Sequence, residues 1–196
     1  DSVMNYPWRS AIINYIKTAD ATGFKESVFS IEENYPRPAI DCLMNIISTH
    51  DTERIINAIG VDRKITRDEA KGYVLSADEW EKGIAGSAAA MFLLFSLPGT
   101  ACIYYADEVG AEGFSDPYCR KGYPYGRENY HILNMVKELS SIVLEMLASL
   151  NSVNGKKDRL IEITADGKIS GDEIDDFIYI QEELERISIT VETLQL

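Results

Sequence analysis

The apolar positions of this chain fall into two rhythms that succeed one another. Pro7 suits the first turn of a helix, and Trp8, Ala11, Ile12, Tyr15, Ile16 and Ala19 recur at helical spacing up to Gly23. That spacing predicts one amphipathic helix. Phe24, Val28, Ile31 and Tyr35 predict a second, stopped by Pro36-Arg37-Pro38 before an apolar, strand-like run at 40–47. The run gives way to Ser48-Thr49-His50-Asp51, where Asp51 or Thr52 is positioned to cap a helix ending at Gly60. The polar stretch 61–75 reads as a loop or irregular helix. Ser76-Ala77-Asp78-Glu79 then has the spacing of a capping box and opens a long helix through Leu97, stopped by Pro98-Gly99. A second strand follows at Ala101-Cys102-Ile103-Tyr104-Tyr105, and it too runs into acid, Asp107-Glu108. Strand, helix, strand, with both strands near-continuously apolar, predicts a parallel sheet covered on both faces. Such sheets carry their chemistry at the carboxyl ends of the strands, where His50 and Asp51 fall. An Asp between a strand and a helix is by itself most often a cap; the adjacent His and the second acid-ended strand shift the reading towards function.

Composition removes several function classes. With 196 residues and 45% hydrophobic content the chain can bury a real core. A net charge of −13 without clustered Lys and Arg gives no electrostatic footprint for phosphate backbones or anionic lipid, so no direct nucleic-acid or membrane partner is expected. The longest apolar stretch, 88–97, is too short to span a bilayer, and no signal peptide is recognisable. Cys42, Cys102 and Cys119 lie far apart, and two sit in apolar runs, so they read as small core fillers in a reducing, cytoplasmic compartment. No cofactor and no metal are expected. The first residue is Asp1 rather than Met, which points to a fragment.

Four motifs carry a family resemblance: Asp1-Ser2-Val3-Met4-Asn5-Tyr6-Pro7; Ser48-Thr49-His50-Asp51-Thr52-Glu53-Arg54; Leu97-Pro98-Gly99-Thr100-Ala101-Cys102-Ile103-Tyr104-Tyr105-Ala106-Asp107-Glu108; and Asp116-Pro117-Tyr118-Cys119-Arg120. In this order they resemble the last third of the catalytic barrel of family 13 glycoside hydrolases, the α-amylase family, and in particular its neopullulanase and cyclomaltodextrinase branch. The resemblance covers residues 1–130. It implies that 1–6, 40–49 and 101–106 are strands six, seven and eight of a (β/α)8 barrel.

Members of this family are retaining enzymes acting on α-glucans, with a nucleophilic Asp after strand four, an acid/base Glu after strand five and a third Asp after strand seven. By resemblance Asp51 is the third Asp and His50 its substrate-binding partner. A carboxylate gripping ring hydroxyls suits an oxocarbenium-like transition state, because its hold improves as the ring distorts and charge develops. An imidazole beside it supplies a donor to another hydroxyl. Asp116 and Arg120 match the Asp and Arg that line the donor side of the cleft; read without the resemblance they are a surface ion pair of little energetic worth. Two positions depart from the family pattern: Ala106 replaces a typical Gly, and Tyr125 stands where a Trp is usual. No counterpart of strands one to five, nucleophile or acid/base is present, and three strands cannot close a barrel. The expectation is a catalytically incomplete α-glucan hydrolase fragment whose partner is an α-glucan or maltooligosaccharide.

After Asn129 the sequence becomes continuously helical. Ile132, Val136, Leu139, Val143, Met146 and Leu150 form one coiled-coil-like seam, and Phe177, Ile180, Leu184, Ile187, Val191 and Leu194 a second. Asn151-Ser152-Val153-Asn154-Gly155 reads as a break and 165–168 as a turn, so the simplest fold for 130–196 is an antiparallel helical hairpin. The expected architecture is thus α/β, a partial (β/α)8 barrel of strands six to eight over 1–129 followed by an α-helical hairpin over 130–196. Residues 162–173 align poorly with an EF-hand loop, with Glu and Thr at the first and third ligand positions, and read as a metal-free turn. The tail more loosely resembles the C-terminal helical segment of Xre-class helix-turn-helix regulators. An alternative function follows: a helical interaction module that forms homo-oligomers through the C-terminal helices, with the barrel portion as scaffold.

Overall fold

The computed structural model describes residues 3–164 of the chain. It divides into two compact units, Asp1–Leu139 and Ser140–Leu196. In the first, helical segments flank a small parallel sheet.

Helix α1 (Tyr6–Thr18) is capped by the Asn5 side chain, which accepts from the Trp8 amide, with Pro in the first turn. It ends earlier than its apolar spacing predicts. Ala19 turns into the left-handed region at φ 57°, and Asp20 caps a new helix, α2 (Ala21–Asn34), by accepting from the Gly23 amide. Asp20 offers a second nucleation point that the apolar rhythm overlooks, so Gly23 lies inside α2 rather than ending α1. Trp8 is fully buried with Val28, Ile40 and Leu43, and its indole N–H donates to the Ser27 carbonyl at 3.2 Å, which locks α1 against α2.

The predicted strand at 40–47 is shorter than its apolar run. A one-turn helix, α3 (Arg37–Asp41), occupies its start, because Pro at the second helical position is pre-set for a first turn. Cys42 is exposed there, unlike the core filler expected, whereas Cys119 is buried. Strand β1 (Met44–Ile46) pairs in parallel with β2 (Thr100–Cys102) in the register Met44 with Thr100 and Ile46 with Cys102. Met4 adds a parallel bridge on the other side of Met44. The sheet therefore runs in the order 3–5, β1, β2, all parallel: the β1–β2 pairing is the one that the near-continuously apolar strands predict, and the place of 3–5 is the one that the resemblance implies. Its centre is polar: Asn5 Nδ2 donates to Asn45 Oδ1 at 3.0 Å, and Asn45 Nδ2 donates to the Pro98 carbonyl at 2.7 Å. These bonds satisfy two buried amides and fix the three segments in register.

Between the strands, α4 (Ile55–Gly60) begins at Ile55, later than a cap at Asp51 or Thr52 would place it. The Ile55 amide is satisfied instead by Ser48 Oγ at 2.8 Å, seven residues back. A short helix, α5 (Arg67–Ala70), carries its own capping box, Thr66 with Glu69. The box at Ser76 and Glu79 opens α6 (Ala77–Ser96) as predicted. Helices α4 and α6 approach backbone to backbone: a Cβ on Gly83 would lie 2.5 Å from the Ile56 carbonyl oxygen, and one on Gly60 would lie 2.2 Å from that of Glu79. That approach sets the height of α4 and hence of the loop before it.

After β2 a 3-10 turn, α7 (Asp107–Val109), precedes an irregular segment, and α8 (Tyr130–Thr164) follows. Ala106 has φ 69°, a left-handed conformation that favours Gly, and this accounts for the Gly expected at that position. In the first unit α8 buries Ile132, Val136 and Leu139. The helix runs unbroken through Asn151 to Gly155, which corrects the predicted break: a single Gly costs a helix only about 1 kcal/mol and does not by itself end one. The second half of the expected hairpin, its seam from Phe177 to Leu194 and most of the 162–173 loop lie outside the described residues.

Candidate functional site

At the carboxyl end of β1 the chain stays buried through Ile47, Ser48 and Thr49 and then turns sharply. Thr49 Oγ1 accepts from the amides of Asp51 and Thr52, both at 3.2 Å, and the Thr49 amide donates to Thr52 Oγ1 at 3.0 Å. This tight turn presents His50 and Asp51 to solvent directly above the sheet. Their side chains are more than half exposed, at 56% and 58%.

The segment 113–120 reaches the same place from beyond β2. The Arg54 amide donates to the Gly113 carbonyl at 2.8 Å, and the Asp116 amide to the Asp51 carbonyl at 3.3 Å. The His50 carbonyl accepts twice, from Cys119 Sγ at 3.0 Å and from Arg120 Nε at 2.9 Å. Arg120 Nη2 then lies 3.3 Å from Asp51 Oδ1 and 2.8 Å from Asp116 Oδ1. On the other side of the carboxylate, His50 Nε2 is 3.2 Å from Asp51 Oδ2. All four residues singled out in the sequence thus meet in one cluster, with Asp51 between an imidazole and a guanidinium. Exposed ion pairs of this kind contribute little to stability, so these groups can exchange partners for ligand hydroxyls at small cost. The chemistry on offer is recognition of a polyhydroxylated ligand, with a carboxylate accepting and two nitrogen groups donating. Among the described residues no cluster of His, Cys, Asp and Glu is arranged to hold a metal ion. No helix there is long and apolar enough to cross a membrane.

Directly beneath lies a pair, Arg54 and Asp107, that falls within the quoted motifs but to which the sequence alone gives no role. Arg54 is 1% exposed; its Nε donates to the Cys119 carbonyl at 2.8 Å, and its Nη1 to Asp107 Oδ1 at 3.0 Å and to the Tyr105 carbonyl. The guanidinium also covers the Tyr104 and Tyr105 rings at 4.2 and 4.6 Å from their centroids. The signals in the sequence are the place of both residues inside the family motifs and a charged residue opening an otherwise apolar helix, Arg54-Ile55-Ile56.

Burial pushes the Asp107 carboxyl up to about 6, against the opposing pull of Ser48 and Arg54, with neighbouring Glu108 adding to the rise. Between the ordinary carboxylate range and about 6 the folded protein holds a proton here that the unfolded chain has released. Stability from this group therefore falls as pH rises through that window. Measured against Asp107→Asn, the native protein should gain stability as pH is lowered from about 6 to about 4, with a slope of at most about 1.4 kcal/mol per pH step of one. Thermal melting of the two proteins across that range checks this; parallel pH profiles would contradict it.

A parallel sheet flanked by helices, with a carboxylate, an imidazole and a guanidinium gathered beyond its carboxyl edge, defines an α/β protein. No protein-family profile matches the sequence. Individual relatives do. An amylopullulanase of Thermoanaerobacterium thermosulfurigenes is 32% identical over 154 residues, covering 72% of this chain and 8% of that protein. Neopullulanase 2 of Thermoactinomyces vulgaris is 32% identical over 158 residues, 79% of this chain and 23% of the relative. Among solved structures, cyclic α-maltosyl-(1→6)-maltose hydrolase from Arthrobacter globiformis in complex with its namesake sugar superposes with a TM-score of 0.55 at 25% identity, over 72% of this chain and 28% of that one. The Nostoc punctiforme debranching enzyme gives 0.57 at 24%, over 72% and 29%. The matched part of this chain belongs to the α-amylase family of glycoside hydrolases, family 13. The chain spans under a quarter of the length of these curated relatives. The resemblance of the tail to Xre-class regulators finds no support in these comparisons.

Proposed function

We propose that residues 1–129 are strands six to eight of a (β/α)8 glycoside hydrolase barrel and supply part of the subsite that holds an α-glucan. In this reading Asp51 stabilises the oxocarbenium-like sugar, His50 and Arg120 donate to its hydroxyls, and Asp116 orients Arg120. The observation that carries it is the convergence of these four residues: Arg120 bridges Asp51 and Asp116 at 3.3 and 2.8 Å while His50 flanks the other Asp51 oxygen. The relatives' names, amylopullulanase and neopullulanase, supply the substrate class.

Hydrolysis by the family's retaining route needs a nucleophile and a proton donor as well, about 5 Å apart across the scissile bond. In the reading of 1–129 as strands six to eight those two groups belong after strands four and five, while Asp51 and Asp116, which share one guanidinium, serve as binding groups. The 196 residues alone are therefore expected to bind maltooligosaccharides without cleaving them. Incubation of highly purified protein with maltohexaose or pullulan should release no reducing sugar. Release that is abolished by Asp51→Asn would overturn this assignment of roles.

A second reading rests on α8. It is 35 residues long and carries the apolar seam of Ile132, Val136, Leu139, Val143, Met146 and Leu150 read in the sequence. Self-association through this helix makes the chain an interaction module whose barrel portion is scaffold. Solution mass separates the readings: a concentration-dependent dimer without maltooligosaccharide binding favours the module.

A further inference from the structure

We propose that Arg54 is the positioning residue of the ligand cluster: from beneath the site it holds the 113–120 segment against the end of β1, so that Arg120 meets Asp51 in a fixed geometry. The inference rests on the glucan-subsite reading for what the cluster binds.

The two sides of the site are joined at two depths. At the surface, Arg120 reaches His50 and Asp51 only through exposed groups, and such pairs contribute at most about 1 kcal/mol each. Hydrogen bonds to its backbone fix the start of the segment, joining Gly113 to Arg54 and Asn57 and Asp116 to Asp51, but they leave its far end at Cys119 and Arg120 to other groups. Below the surface pairs, Arg54 is buried and grips two separate stretches through three groups: Cys119 by its carbonyl, and the end of the β2 segment by the Asp107 carboxylate and the Tyr105 carbonyl. The Tyr104 and Tyr105 rings lie against its guanidinium, which limits the planes it can adopt. Fixing the Cys119 carbonyl orients the peptide that leads directly into Arg120. On the same residue the Cys119 thiol donates to the His50 carbonyl. Arg54 therefore acts close to the ligand groups on both sides: through Cys119 on Arg120, and through the turn it shares with Glu53 and Thr52 on Asp51.

A planar fork is required for this. Nε and Nη1 donate in different directions at once, whereas a lysine ammonium at the end of a flexible stem cannot reproduce both while lying between two rings. Arg54→Lys keeps the positive charge opposite Asp107 and loses the fork, which makes it the informative variant.

The test has a readout independent of glucan. The Arg120 Nε–H, bonded to the His50 carbonyl, can be followed by nitrogen-15 NMR through its exchange with solvent. In Arg54→Lys, at unchanged far-ultraviolet circular dichroism, this proton should exchange several-fold faster, and the maltohexaose Kd should rise about tenfold, the size of one lost charge-assisted hydrogen bond. Guanidinium ion at low concentration should restore both readouts in Arg54→Ala. In an Arg120→Gln background Arg54→Lys should cost clearly less affinity than it does in the native protein, because only its hold on the Asp51 turn is then left to lose. An unchanged Arg120 Nε–H in Arg54→Lys, or an affinity loss that adds in full to that of Arg120→Gln, would overturn the proposal and leave Arg54 a brace of the fold. Should Arg54→Ala not fold, Arg54→Lys decides. Should the native protein not bind maltohexaose, the glucan reading fails, and the Arg120 exchange rate still decides whether Arg54 positions it.

Discussion

Asp51→Asn should weaken maltohexaose binding by about tenfold to a hundredfold, with the melting temperature almost unchanged. The size follows from what the carboxylate does in the cluster. Its two oxygens face His50 and Arg120, and in the complex they accept from sugar hydroxyls as charged acceptors, each such bond contributing about 1.5–3 kcal/mol. An amide presents one acceptor where the carboxylate presents two, and its NH2 group meets Arg120 or His50 as donor against donor. Stability is spared because the side chain is 58% exposed and its pairs are screened by water. A variant that lost affinity and stability together would indicate that Asp51 braces the turn after β1 instead of serving a ligand.

Gly83→Val should lower stability by about 3 kcal/mol or more, roughly 10 °C in melting temperature for a unit of this size. The first added carbon would lie 2.5 Å from the Ile56 carbonyl oxygen and 2.6 Å from its Cγ1, a collision with backbone that no side-chain rotation relieves. Helix α4 must then shift away from α6. Ile55 and Ile56, both buried, would move with it, and so would Arg54 immediately before them. Binding should fall along with stability. Gly72→Ala is the matching control, because a Cβ there meets nothing within 4 Å. Equal melting temperatures for the two variants would contradict the close packing of α4 on α6.

The contrast between these positions shows what can be read from the chain. The α6 start is legible because its cap is written locally, in Ser76 and Glu79, and the parallel sheet is legible because its strands lie in near-continuous apolar runs separated by a helix. Asp51 and His50 are legible from the abrupt end of an apolar run. Three features are not, each for its own physical reason. The α1–α2 division depends on Ala19 adopting φ 57° while Asp20 caps the next helix, a choice that apolar spacing does not encode. The α4 start depends on Ser48 capping from seven residues upstream, where a local reading looks to Asp51 or Thr52. Arg54 stands in a quoted motif with no role attached; only the arrival of Tyr105, Asp107 and Cys119 from far along the chain makes it a buried hub. The α8 helix fails in the other direction: Asn151 to Gly155 carry residues typical of a stop, and the helix passes through them.

If His50, Asp51, Asp116 and Arg120 form a subsite for an α-glucan, the native protein must hold such a ligand and must lose it when the Asp51 carboxylate is removed. Calorimetric titration with maltohexaose, run on the native protein beside Asp51→Asn, measures both. A saturable heat of binding is expected in the native protein, weakened at least about tenfold in the variant. No saturable binding by the native protein, or the same affinity in both, would contradict the subsite.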